Sequence, residues 1–187
     1  MNKRKFLFFF FNFFFAILFL IRWPRLSFGT IPIIKSTLVI VHSNFLKHKL
    51  SENHPETPER IKQIIKDLKK KNLQSIIHSL NIKTDVDYWI NTIHSKKHSN
   101  SLKKKFPIGE ESSATAVKGC IFGVDQIMKK KVKNVFCASR PPGHHALNTG
   151  KDEGFCFYNH VAIAAKYIQQ KYKKNKILIV DWDYHHG

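Results

Sequence analysis

The hydrophobic positions along the chain follow patterns that predict strands and helices. Residues 37–43 (TLVIVHS) and 134–139 (NVFCAS) are short apolar runs of the kind that forms β-strands. From Glu59 onward, isoleucine and leucine recur at helical spacing, and residues 111–130 repeat that spacing. The run at 176–183 (KILIVDWD) is almost continuously apolar, which predicts a parallel strand covered on both faces.

The C-terminal part of the chain predicts a βαβ unit. The strand at 134–139 leads through a glycine- and proline-rich loop to a helix over 159–172, and then to the strand at 176–183. Parallel strands end at the same edge of a sheet, so the loop after the first strand and the residues after the second are expected to meet there. The predicted fold class is therefore α/β with a mainly parallel sheet.

Polar side chains mark the expected helix starts. Ser112 or Ser113 would cap the helix at 111–130, and Asn159 would cap the helix that follows it. Residues 80–110 are polar and rich in lysine, and they predict no clear order of elements.

The first 30 residues differ from the rest of the chain. Three basic residues (3–5) precede an apolar run, residues 6–21, which only Asn12 interrupts. A basic start followed by an apolar stretch is the form of a secretory signal or a signal anchor. The stretch is shorter than the roughly 20 residues that span a bilayer comfortably. We therefore expect a targeting segment here, with a membrane anchor as the alternative, followed by one folded domain over 31–187.

Cysteine usage bears on the compartment. Cys120, Cys137 and Cys156 form no CxxC pair, and the chain contains no Asn-x-Ser/Thr sequon. Unpaired thiols suit a reducing compartment, whereas a secretory leader leads to an oxidising one. A leader that delivers the protein onward to an organelle such as a plastid reconciles the two. The nucleus, the cytoplasm and a membrane-anchored location are the alternatives.

The net charge of +19 changes this picture little. Lysine outnumbers arginine 27 to 5 among the 32 basic residues, and the lysine runs are spread along the chain. Arginine would be expected where bidentate contacts hold phosphates or bases. The lysines therefore predict a solvated surface, and we expect no sequence-specific binding of nucleic acid.

Residues 181–187 (DWDYHHG) carry the candidate chemistry. Side chains alternate along a strand, so Asp181, Asp183 and His185 are expected on one side. Carboxylates and imidazoles suit a divalent metal, and catalytic zinc takes three protein ligands of this kind beside an open position. Asp183 and His185 are candidates for two of the three ligands, and Asp181 would instead orient a histidine.

The loop after the strand at 134–139 (RPPGHHA) contributes His144 and His145. Neighbouring imidazoles beside a metal-bound water are suited to proton transfer, because the ordinary pKa of histidine lies near neutral pH. A metal that polarises a carbonyl group would complete the set needed to hydrolyse an amide or ester. The isolated histidines are expected to be ordinary packed or surface groups: His54, His94, His98 and His160.

Three motifs in this order, RPPGHHA, GFCFYNHVAIAAKY and ILIVDWDYHHG, resemble the zinc-dependent histone deacetylase superfamily. The likeness is greatest to its class II branch and to acetylpolyamine amidohydrolases, and it extends more weakly over HPETPERI and the helix near Glu111. The resemblance implies an arginase/deacetylase-type α/β fold with a mainly parallel sheet flanked by helices. It also implies a hydrolase that removes acetyl groups from lysine side chains of histones or other proteins, or from polyamines.

The resemblance implies roles for the twin histidines and the strand end. Asp183 and His185 correspond to zinc ligands. Asp181 corresponds to the carboxylate partner of His144, and His145 corresponds to the general base and acid. The backbone groups of Asp181, Asp183 and His185 correspond to a structural potassium site.

The resemblance also implies a tunnel for the substrate. Phe155 corresponds to an aromatic wall of the acyl-lysine tunnel, and Gly154 to a backbone contact with the substrate amide. Arg60, within HPETPER, corresponds to the basic residue of an internal channel behind the metal. Cys156 is either a thiol near the metal or a packing residue.

The family pattern includes residues that this sequence does not match. The acidic residue that grips substrate at the rim has no clear counterpart, with Glu110 or Glu111 as candidates. The third zinc ligand, an aspartate, and a tyrosine or histidine that stabilises the transition state have no counterpart. We therefore expect an N-terminal part of a deacetylase domain, truncated after its metal-binding strand and inactive as it stands. The alternative is a non-catalytic membrane-tethered or binding remnant.

The targeting hypothesis predicts the fate of a reporter. Residues 1–30 fused to a fluorescent protein should carry it out of the cytosol, because a basic start and an apolar stretch are what targeting machinery recognises. Fluorescence imaging checks the location. A matched fusion carrying Phe10→Asp and Ile17→Asp should stay behind, and a wild-type fusion that remains in the cytosol would contradict the hypothesis.

Overall fold

The computed structural model describes residues 35–73, 77–80 and 85–187. The targeting segment predicted at 1–30 lies outside these residues. Within the described ranges, no helix has both the length and the apolar character needed to cross a membrane.

The described ranges contain three strands and five α-helices. The strands are β1 (Lys35–Val41), β2 (Ile77–Ser79) and β3 (Val132–Cys137). The α-helices are α1 (Glu59–Lys70), α2 (Asp87–Ile90), α3 (Lys96–Lys105), α4 (Pro107–Met128) and α5 (His160–Tyr172). A short 3₁₀ helix, Ser43–Leu46, follows β1.

The strands form one parallel sheet in the order β2-β1-β3. Leu38 of β1 aligns with Val135 of β3, and Val39 aligns with Ile77 of β2. Because all three strands run the same way, the segments that follow β1 and β3 leave from the same edge. Both strands predicted in this region are confirmed, whereas β2 has only 3 residues, too few for a periodic pattern to predict it.

Helix α4 packs closely on the sheet because it has glycines where it meets the strands. A Cβ at Gly123 would lie 2.8 Å from Val135 Cγ1 of β3, so a larger residue would force the two elements apart. The space at Gly119 is bounded by Ile40 of β1. The helix therefore covers the strands that lead into the polar loops.

Two clusters of buried apolar side chains stabilise the described part of the chain. A small cluster lies between α1 and the sheet and contains Val39, Ile61 and Ala138. Each fully buried aliphatic or aromatic side chain contributes about 1.5–3 kcal/mol. The larger cluster joins the four helices from α2 to α5: Val86, Ile90, Leu102, Val117, Ile121, Phe157, Tyr158, Ile163 and Tyr167.

The helix predicted at 111–130 starts earlier than its cap residues suggested. It begins at Pro107, which suits the first turn because its φ is fixed and its missing N–H would have no partner there. Ser112 and Ser113 are buried inside the helix rather than capping it. The prediction for Asn159 is confirmed, since its Oδ1 accepts the Ala162 N–H at 3.0 Å at the start of α5.

The strand predicted at 176–183 is wrong in this structure. The run forms no part of the sheet, and Leu178 and Trp182 are 85% and 92% exposed. An apolar run becomes a buried strand only where it pairs with a neighbouring strand and is covered by other layers, and among the described residues this run pairs with no strand. The fold class is nevertheless confirmed, with a parallel sheet flanked by helices.

A buried ion pair joins the loop after β3 to the loop before α1. Arg140 and Glu56 are only 3% and 5% exposed, and their side chains form two hydrogen bonds, Nε–Oε1 at 2.5 Å and Nη2–Oε2 at 2.6 Å. The remaining guanidinium donors bond to the carbonyl oxygens of Phe45 at 2.7 Å and His48 at 3.1 Å. The arginine thereby fixes three separate segments around the start of the RPPGHHA loop.

Removing this arginine should destabilise the fold strongly. Arg140→Met removes both hydrogen-bonded guanidinium donors from the buried carboxylate of Glu56 and leaves it no buried cationic partner. We expect a loss of about 3–5 kcal/mol in the free energy of unfolding. Urea unfolding followed by circular dichroism measures it.

A second arginine on the same carboxylate provides the control. Arg60 lies 3.9 Å from Glu56 Oε1 but is 64% exposed, so Arg60→Met should cost less than about 1 kcal/mol. The double variant Glu56→Leu/Arg140→Met should recover part of the loss, because no unpaired charge remains buried. Equal effects of the two arginine variants would contradict this account.

Candidate active site

The loop after β3 and the chain beyond α5 meet at a histidine and an aspartate. His144 Nδ1 lies 2.9 Å from Asp181 Oδ2, so the imidazole donates its Nδ1–H to the carboxylate. The Asp183 N–H donates to the other carboxylate oxygen at 3.0 Å. Two hydrogen bonds hold the pKa of Asp181 below its usual value. The bond from the Asp183 N–H has the larger effect, and the bond from His144 has the smaller. The contact between these two predicted site residues therefore forms without the predicted strand.

Four imidazole rings gather at this point. The rings of His144 and His145 are in contact, with centroids 4.0 Å apart and planes tilted by 36°. The His145 ring lies 6.0 Å from that of His185 and 6.5 Å from that of His186. The predicted residues His144, His145 and His185 are thus brought together, and His186 joins them. His186 was not singled out from the sequence, although it directly follows a candidate ligand.

Asp183 and His185 contact each other through a local turn. The His185 N–H donates to Asp183 Oδ1 at 2.9 Å, and His185 Nδ1 lies 3.2 Å from the same oxygen. Both bonds lower the pKa of Asp183 from its usual value, and the bond from the backbone N–H has the larger effect. Here the Asp181 and Asp183 carboxylates each accept from the N–H two residues on, as in Asx turns.

The donor set suits part of a zinc site. A carboxylate and an imidazole are ligands that zinc prefers, so Asp183 and His185 fit two of its protein ligands. Among the residues that the structure describes, no group of three or more His, Cys, Asp or Glu side chains is arranged to hold a metal ion. Zinc binding by these two residues stays a prediction.

Gly154 and Phe155 form the tip of a tight hairpin next to the histidines. Glu153 and Cys156 exchange backbone hydrogen bonds of 3.1 and 2.8 Å, and the two tip residues have φ of +51° and +67°. A Cβ at Gly154 would overlap the His145 ring, so glycine is required both by the backbone and by this contact. The tip therefore lies with its Gly154 backbone against the His145 ring.

His54 packs edge-on against Phe155, with ring centroids 4.5 Å apart. Its Nδ1 accepts the Glu56 N–H at 3.0 Å, so the ring is fixed to the loop before α1. Sequence reasoning treated His54 as an ordinary group. The signal that it belongs to the site was its position in HPETPER, six residues before Arg60.

Arg60 lines a cavity of about 210 Å³ under the histidine loop. Glu56, Phe136, Arg140 and Pro142 also line it. The cavity is therefore bounded by α1 on one side and by the residues that lead to the twin histidines on the other.

The structure shows the surroundings of Cys156 and of the two acidic candidates for the rim, Glu110 and Glu111. Burial raises the pKa of the Cys156 thiol to about 11, so it stays protonated. Glu110 is buried and accepts the Tyr158 O–H at 2.9 Å, and burial raises its pKa. Glu110 is therefore not a rim residue. Glu111 is exposed and pairs with Lys47 at 3.7 Å.

Comparison with known proteins identifies the family. Residues 54–187 match the histone deacetylase domain. The crystal structure of the HDA15 HD domain superimposes with a TM-score of 0.71 at 26% identity, covering 81% of this chain and 48% of that one. The chain belongs to the histone deacetylase domain family.

The relatives include a histone deacetylase and a polyamine deacetylase. The chain is 29% identical over 227 residues to type-2 histone deacetylase 1 of Dictyostelium discoideum, covering 84% of this chain and 15% of the relative. It is 34% identical over 167 residues to protein slr0245 of Synechocystis sp., covering 80% and 54%. It is 53% identical over 64 residues to the polyamine deacetylase HDAC10 of Danio rerio, covering 34% and 9%. The chain spans about half or less of the length of these relatives.

The contact between His144 and Asp181 predicts a dependence on pH. Because the pKa of Asp181 is lowered in the folded chain, the stabilisation from this carboxylate is present above the ordinary aspartate pKa and is lost as pH falls through the lowered one. In His144→Gln the pKa should rise part of the way toward the usual value, since the Asp183 N–H still bonds. A titration of the side-chain carboxyl carbon by NMR measures it.

His186→Gln is the matched control for this titration. His186 lies in the same ring cluster but makes no hydrogen bond to Asp181 within the described residues, so the titration of Asp181 should not move. A shift of equal size in both variants would show that the His144 contact does not set the carboxylate pKa.

Proposed function

We propose that this chain carries the histidine and acyl-binding part of a zinc-dependent deacetylase that hydrolyses the amide of N-acetyl-lysine in histones or other proteins. The observation that carries the proposal is the adjacent ring pair His144–His145, hydrogen-bonded through His144 to Asp181, with Asp183 and His185 nearby. Its occurrence within a histone deacetylase domain supports the same conclusion.

Asp183 and His185 would hold the zinc ion, which when bound supplies a polarised carbonyl and an activated water. Asp181 accepts the Nδ1–H of His144, which leaves Nε2 of His144 as the basic atom of that ring. The His145 ring lies against this ring, and His145 takes the role of general base and acid. The backbone of the turn at 181–185 would hold the structural potassium ion.

The hairpin tip would receive the substrate. Phe155 supplies an apolar wall for the acyl-lysine stem, and the Gly154 backbone would bond to the substrate amide. The cavity at Arg60 would take up the acetate product, because a guanidinium suits a carboxylate. We retain acetylated proteins or peptides as partners, with no sequence-specific binding of nucleic acid, and a targeting role for residues 1–30 toward the secretory route or an organelle.

Polyamines are a second candidate substrate class. The likeness of a 64-residue stretch to the polyamine deacetylase of Danio rerio favours them, and the two substrate classes share the acetamide that the site would cleave. A non-catalytic binding role is the alternative, because the described residues offer two zinc donors and no hydroxyl or imidazole assigned to steady the oxyanion.

Zinc content and turnover test the proposal. The purified 187-residue chain should bind less than one equivalent of zinc and should not deacetylate acetyl-lysine peptide, because two donors hold the metal weakly. Asp183→Ala/His185→Ala should remove the zinc that is bound, whereas His78→Ala in β2 should not. Equilibrium dialysis with metal analysis measures the zinc, and a coupled acetate assay measures turnover.

The protein isolated from its source cells separates the alternatives. It should release acetate from acetyl-lysine peptide, and His145→Ala should lower kcat by about 10²–10⁴-fold, the usual contribution of a general acid–base. Faster turnover of acetylspermidine would assign the polyamine class. Absence of turnover with zinc present would favour the binding role, and robust turnover by the 187-residue chain would contradict the expectation that two zinc donors are too few for activity.

A further inference from the structure

Two buried histidines outside the candidate active site lie under its hairpin. His94 precedes α3 and His98 lies in its first turn, and they are 2% and 1% exposed. Their rings stack with centroids 5.0 Å apart and planes 24° from parallel, and the Tyr158 ring lies against both. Neither ring belongs to the four-imidazole cluster described above.

His98 bonds to both ends of the segment that contains the hairpin. Its Nδ1 accepts the Gly150 N–H at 2.9 Å, and its Nε2 lies 2.9 Å from the Phe157 carbonyl oxygen. The first bond requires a bare Nδ1 and the second a protonated Nε2, so these partners select the neutral Nε2–H tautomer. The ring therefore ties the start of the segment at residues 150–157 to its end.

The rest of the α3 region holds the same segment. The Ser101 hydroxyl donates to the Gly150 carbonyl at 2.8 Å, and the Ser95 N–H donates to Asn148 Oδ1 at 2.7 Å. The Asn159 N–H donates to His94 Nε2 at 2.9 Å, just before α5 begins. Burial, and then the neighbouring His98, lower the pKa of His94 to about 4, so it is a neutral acceptor at physiological pH.

The chemistry of the bridge explains why a histidine is used. An imidazole presents an acceptor and a donor on different sides of a rigid ring, so it can bridge an N–H at one end of a loop and a C=O at the other. Asparagine and glutamine have both groups on one end of the side chain, and lysine and arginine cannot accept. A phenylalanine of similar shape would leave the Gly150 N–H and the Phe157 carbonyl without this partner.

We propose that His98, supported by His94, is a positioning residue that fixes the hairpin tip at Gly154 and Phe155 against His145 by clamping the two ends of the segment 150–157. The tip has two consecutive residues at positive φ, which a free loop would not hold without support. The inference rests on the proposed function only where it assigns the hairpin tip a contact with substrate. The clamp itself and its test require no turnover.

Amide hydrogen exchange on the 187-residue chain tests the clamp. In His98→Phe the amides of Gly150 and of residues 153–156 should exchange roughly tenfold faster or more relative to the amides of α4, because two buried hydrogen bonds are lost. The nuclear Overhauser effect between Phe155 and His54, whose rings are 4.5 Å apart, should weaken. Ile61→Ala, in the cluster under α1, is the control for general loss of stability and should leave that contact intact.

Two further measurements distinguish loss of the His98 hydrogen bonds from simple loss of packing. They are hydrogen exchange in the variant His98→Asn and the tautomer of His98 in the wild-type chain. His98→Asn should restore protection of Gly150 but not the bond to the Phe157 carbonyl, and it carries the test if His98→Phe does not fold. Long-range ¹H–¹⁵N spectra at pH 8 should show His98 protonated at Nε2 only. An Nδ1–H tautomer, or hairpin exchange no faster in His98→Phe than in Ile61→Ala, would overturn the proposal.

Discussion

The ion pair between Arg140 and Glu56 is the constraint on which the candidate site depends. Both charges lie out of water, where an unpaired charge would cost several kcal/mol, so the loop after β3 and the loop before α1 cannot separate without breaking the pair. The twin histidines follow Arg140 by four and five residues, and His54 precedes Glu56 by two. Groups from both loops therefore reach Phe155 and the histidine cluster from fixed positions.

The buried and exposed histidines of this chain have different roles. His94 and His98 are enclosed and bond to backbone groups, whereas His144 and His185 bond to exposed carboxylates. An enclosed neutral imidazole gives a rigid, directional bridge. A buried ring nitrogen or N–H without a hydrogen-bond partner costs free energy, so the ring keeps the orientation that satisfies both. The same residue type thus supports the framework in one place and, under the proposed function, would serve proton transfer in the other.

Local sequence patterns predicted the elements whose stability comes from near neighbours. The strands around Leu38 and Val135, the helix from Glu59 and the cap at Asn159 were all predicted correctly, as was the α/β class. Residues 80–110 gave no pattern because α2 and α3 are short, and α3 is polar on most of its surface. The start of α4 was misplaced because two serines resembled caps, although Pro107 begins the helix.

The sequence by itself determined the family motifs, the two parallel strands and the residue types of the candidate site, because periodicity and motif order are properties of the chain alone. Only the tertiary structure decided that residues 176–183 stay outside the sheet, since an apolar run becomes a strand only where other strands and layers receive it. It also decided which of two arginines forms a buried ion pair with Glu56, and which histidines are buried. Burial depends on segments far apart in sequence, and no local pattern contains that information.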